Sequence, residues 1–90
     1  MVTVLEARIY LRVDVTEEDS LISSLLETSE GLCQEILRVD NLESFDDSPL
    51  LRSAILYATA YLFEHREEAD HKALKGTLYH LLGGLRKEVF

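Results

Sequence analysis

The chain has little of what special chemistry is built from. Its one cysteine, Cys33, rules out an internal disulfide and provides no paired thiols for zinc, which fits a reducing compartment. There is no tryptophan, one proline and four glycines, a composition that argues against a disordered or linker-like chain. The adjacent pair Gly83–Gly84 lacks the lysine and following Ser or Thr of a phosphate loop. Positive charge is scarce as well: nine Lys and Arg against 17 Asp and Glu leave a net charge of −8, a poor match for phosphate-backbone binding through the bulk surface. No apolar run approaches the ~20 residues that span a bilayer. Glu6, Arg8 and Arg12 interrupt the N-terminal apolar residues, and no basic stretch precedes them, so the segment does not read as a signal peptide. A soluble, intracellular protein is expected.

What is present is helical patterning. Ninety residues suggest one domain over 1–90, and a chain of this size buries only about 60% of its unfolded surface, so oligomerisation would be a natural supplement. The chain is organised around residues 49–66, PLLRSAILYATAYLFEHR. Between Ala54 and Phe63 only Thr59 is neither apolar nor aromatic, the mark of a helix enclosed by neighbours. Asp47 or Ser48 can cap its first N–H groups, and Pro49 suits the first helical position. Ala54, Ile55, Ala58 and Leu62 are the expected core positions.

Before it, Thr3 and Glu6 have capping-box spacing and predict a short helix over residues 4–11, with Leu5, Ile9 and Val13 along one face and Arg8 and Arg12 pointing elsewhere. An amphipathic strand competes, because Ile9, Leu11 and Val13 also alternate with Tyr10 and Arg12. Thr16, followed by Glu17, Glu18 and Asp19, predicts the start of a second helix running from Glu17 to about Arg38. Its apolar stripe is Ile22, Leu25, Leu26, Ser29, Cys33, Ile36 and Leu37, and its opposite face carries Glu27, Glu30 and Gln34. Gly31 inside it costs about 1 kcal/mol relative to alanine, which a close helix crossing would explain. In the acidic connection 39–48, Leu42 and Phe45 are expected against the core. A turn near 69–71 leads to a last helix carrying Leu74, Leu78, Leu81 and Leu82 with Tyr79 alongside; Gly83–Gly84 ends it, and 83–90 forms a short tail. The expected fold is all-α: three main helices in a small bundle plus a short N-terminal helix.

Candidates for chemistry are sparse. His65, Glu68 and His71 could be imagined around a metal, yet Glu67 to His71 crosses a helix end and nothing matches HExxH or CxxC. Cys33 lies on an apolar stripe between Glu30 and Glu35, which oppose thiolate formation. Asp46 and Asp47 fall in a solvated loop, where no raised pKa is expected. The reading is of a non-enzyme with no catalytic, cofactor-binding or metal-binding residues and no membrane partner. Tyr57 and Tyr61, four apart on the central helix, serve either the core or a subunit contact, and Phe63 joins them as an interface candidate. Charge is unevenly spread: residues 14–48 hold eleven acids against Arg38, whereas Lys72, Lys75, Arg86 and Lys87 give residues 69–90 a positive balance. Such a chain either stays soluble on its charge or pairs head to tail, acidic middle against basic end.

Three stretches together resemble the small head–tail connector, or head-completion, proteins of tailed bacteriophages and prophages. They are LEARIYLRVD followed by VTEEDSLISSLLETSEGLCQEIL, then PLLRSAILYATAYLFEHRE, and finally LYHLLGGLRK. The likeness covers nearly the whole chain through its order and spacing; the connection 39–48 and Gly83–Gly84 depart from the turns common in relatives. The resemblance implies an all-α structural protein acting in the host bacterial cytoplasm during assembly and in the virion neck. It implies a cyclic homo-oligomer, a ring of about a dozen copies, that docks beneath the portal protein and extends the DNA channel. A downstream connector or tail-completion protein would be its second partner, and double-stranded DNA would pass without sequence-specific binding. On this view Tyr57, Tyr61, Phe63, Lys72, Lys75, Arg86 and Lys87 lie at subunit contacts. The competing reading is a helical adaptor or regulatory module outside any virion, binding a partner helix beside Tyr57 and Tyr61.

Overall fold

A computed structural model describes residues 2–45 and 48–85. The fold is all-α. Four helices follow one another: α1 (Val4–Leu11), α2 (Asp19–Leu37), α3 (Pro49–Glu64) and α4 (His71–Leu81), with a 3-10 turn at Glu43–Phe45. No strand occurs among the described residues. The strand alternative for the first segment therefore fails: the capping box forms, with the Thr3 hydroxyl accepting from the Glu6 N–H at 3.1 Å and the Glu6 carboxylate accepting from the Thr3 N–H.

The α2–α3 pair is the spine, and α1 and α4 each pack on both of its members. α2 turns Ile22, Leu26, Ser29, Cys33 and Leu37 inward, following the expected stripe, with Leu25 and Ile36 half-buried at its edges. α3 buries Leu51, Ala54, Ile55, Ala58, Thr59 and Leu62, so all four expected core positions are in the core. Thr59 brings a hydroxyl into this seam. Its Oγ1 lies 2.8 Å from the Ile55 carbonyl and 3.0 Å from Ser29 Oγ, and Ser29 in turn donates to the Leu25 carbonyl at 2.8 Å. Both buried hydroxyls are thus satisfied, which removes the desolvation cost of leaving them unpaired, roughly 1–3 kcal/mol each. Leu74, Leu78 and Leu82 close the core from α4, while Leu42 is buried and Phe45 half-buried beneath the acidic connection.

Helix boundaries follow local chemistry. Ser48 caps α3, accepting from the Leu51 N–H at 3.2 Å, with Pro49 in the first turn; Asp47, the other expected cap, lies outside the described residues. Asp70 caps α4, accepting from the Ala73 N–H at 2.9 Å. α3 stops at Glu64, short of Arg66, with His65 as its C-cap. α2 starts later than expected. Thr16 does not cap it; the Thr16 carbonyl accepts from the Asp19 N–H at 3.1 Å, making a separate turn before the helix begins.

Two further expectations are corrected. Gly31 marks no helix crossing: it faces solvent, and a Cβ built there meets nothing within 4 Å. α1 also sits rotated from the expected orientation. It turns Ala7 inward, fully buried, and Arg8 toward α2, whereas Leu5 and Ile9 are 56% and 70% exposed. The reason is electrostatic as well as steric. Arg8 Nε sits 3.0 Å from Asp19 Oδ1 at the start of α2, and Glu6 pairs with Arg52 of α3. These ties accompany a rotation that turns Val4, Ala7 and Leu11, spaced i, i+3, i+7, toward the core and leaves Leu5 and Ile9 outside.

One tetrapeptide, Leu-Arg-Val-Asp, occurs at 11–14 and again at 37–40. Both copies end a helix the same way. Arg12 and Arg38 take left-handed φ values of 60° and 57°, and Val13 and Val39 donate back to the Arg8 and Gln34 carbonyls at 3.0 and 3.2 Å. This is a Schellman ending with arginine where glycine is usual, and in the second copy Val39 packs back against the core.

Candidate interaction surfaces

Two open hollows flank the spine. The first lies between α1 and α3 and is lined by Tyr10, Leu11, Arg12, Tyr57, Ala60, Tyr61 and Glu64. The second lies between α2 and α4, lined by Glu35, Ile36, Arg38, Lys75, Gly76 and Tyr79. Each contains one of the two left-handed arginines, at least one tyrosine and a glutamate.

The first hollow lies between the two helices that carry most of the exposed large apolar and aromatic side chains. Of the seven large apolar or aromatic side chains exposed among the described residues, Leu5, Ile9 and Tyr10 are on α1, Val15 follows it, and Leu50 and Tyr57 are on α3. Only Tyr79 is elsewhere. On α3, Leu50, Ser53, Tyr57 and Glu64 are spaced so that they share the exposed side, opposite the buried stripe. Scattered single exposures need no explanation, whereas a clustered apolar face marks a contact site.

The aromatic interface candidates have different surroundings. Tyr57 is 38% exposed and faces the hollow. Tyr61 also lines it, but is engaged within the protomer. Its hydroxyl accepts from the Asp70 N–H at 3.1 Å, and its ring stacks on His65 with centroids 4.3 Å apart. Phe63 is half-buried away from the hollow, with the Arg66 guanidinium 4.7 Å from its ring centre. Lys72 and Lys75 lie on the exposed side of α4, and Lys75 Nζ reaches Glu35 Oε1 of α2 at 3.4 Å. Arg86 and Lys87 lie outside the described residues. The sequence reading missed Leu5, Ile9 and Tyr10 as surface residues; a helix whose only small residue, Ala7, lies opposite its bulky edge was the available signal.

The residues once imagined around a metal do not converge. The His65 ring is committed to Tyr61, with Nδ1 donating to the Tyr61 carbonyl at 2.9 Å, and His71 begins α4 in the open. Among the described residues no group of three or more His, Cys, Asp or Glu side chains gathers as a cation site. Cys33 is fully buried, and its thiol is pushed up to about 12 by desolvation and, secondarily, by the Glu30 carboxylate. At that value it holds its proton and is a poor nucleophile.

Among the described residues no helix is long and apolar enough to cross a membrane. Comparisons with protein-family models, with curated proteins and with solved structures produced no match to this chain.

Proposed function

We propose that this chain is a structural assembly protein: a ring-forming head–tail connector of a tailed bacteriophage or prophage that docks on the portal and extends the DNA channel. The observation that carries the reading is the set of six large apolar or aromatic side chains on α1, α3 and at Val15 that stand 37–70% exposed among the described residues. A free monomer gains nothing from them, whereas a protein whose working state is an assembly does. The all-helical architecture and the order of the three stretches described above support the same reading. The negative net charge suits a channel component, because extensive phosphate neutralisation would hold passing DNA.

The test is binding to the portal protein encoded in the same genome, by co-sedimentation and negative-stain microscopy. A ring capping the portal is expected, and a portal that remains bare across salt concentrations sinks the reading. A second reading, a helical adaptor taking one amphipathic partner helix, is favoured by the shape of the α1–α3 hollow, a groove flanked by Tyr10 and Tyr57. It predicts a monomer or dimer that ignores the portal.

A further inference from the structure

We draw no further inference here: the strongest candidate, the tyrosine-lined hollow between α1 and α3, carries Arg12 and Glu64 of opposite charge on its own walls, and nothing in the structure shows what covers it.

Discussion

α1 and α4 are two short helices attached to the same spine, and they use their apolar residues in opposite ways. α4 turns Leu74 and Leu78 into the core, followed by Leu82 at its C-cap, and shows solvent Lys72, Lys75, Gly76 and His80. α1 buries Ala7 and shows solvent Leu5, Ile9 and Tyr10. The hydrophobic effect holds α4 in place. α1 packs through Ala7 and the half-buried Val4 and Leu11, and adds a capping box and ion pairs with Arg52 and Asp19. Half-exposed ion pairs of this kind contribute little, typically 0–1 kcal/mol each. α1 is accordingly the helix more easily detached, and the one whose side chains are available to another molecule.

The comparison is broken or sharpened most strongly by deletions on the two apolar edges. Leu78→Ala should lower unfolding free energy by about 2–5 kcal/mol in urea titrations, because it empties a fully buried site. Ile9→Ala, at a concentration where the protein is monomeric, should stay within about 0.5 kcal/mol of wild type. A loss above 2 kcal/mol there would mean that α1 packs inward after all. Caps come next. Asp70→Ala and Thr3→Ala each remove an observed cap and cost about 0.5–2 kcal/mol of helix stability. The Asp70 change should lower the global midpoint, whereas the Thr3 change should appear mainly as faster amide exchange within Val4–Leu11.

Gly31→Ala should act in the other direction. With open space around the new methyl and no positive φ, it should raise stability by up to about 1 kcal/mol, seen as a higher melting temperature. A further effect, confined to alkaline pH, concerns Cys33. Burial raises its folded pKa to about 12, above the ordinary value near 8.5, so the unfolded chain releases the thiol proton first. Its contribution is complete below pH 8.5 and declines as the pH rises toward 12. Cys33→Ala should therefore lose stability less steeply than wild type between pH 9 and 11 in parallel denaturant titrations.

Most of the architecture was legible because periodicity and caps are local. Thr3 with Glu6, Ser48 with Pro49, and the stripe from Ile22 to Leu37 each specify their element without reference to the rest of the chain. What was not legible depended on partners distant in sequence. Leu5 and Ile9 turn outward because Val4, Ala7 and Leu11 pack on α2 and α3, an orientation that also lets Glu6 meet Arg52, 46 residues away, and Arg8 meet Asp19. The late start of α2 depended on a turn at Thr16 competing with a cap at the same residue. Tyr57 and Tyr61, four apart, both line the α1–α3 hollow, yet only the position of Asp70 reveals that Tyr61 is already engaged. The repeated Leu-Arg-Val-Asp could have been read directly, since both copies sit where an apolar stripe stops.

That repeat has a consequence for how the protein responds to ionic strength. Arg12 and Arg38 accept a left-handed backbone, which disfavours any residue with a Cβ, at the negative end of a helix, which favours a cation. The two influences differ in range. Backbone strain is indifferent to salt, but the attraction between a guanidinium and the last carbonyls is screened by it. In dilute buffer the arginines and a glycine in their place should be nearly balanced, and added sodium chloride should tilt the balance toward glycine. Arg38→Gly should therefore gain on wild type as salt rises in paired thermal melts, and both helix ends become salt-sensitive joints in an otherwise salt-tolerant core.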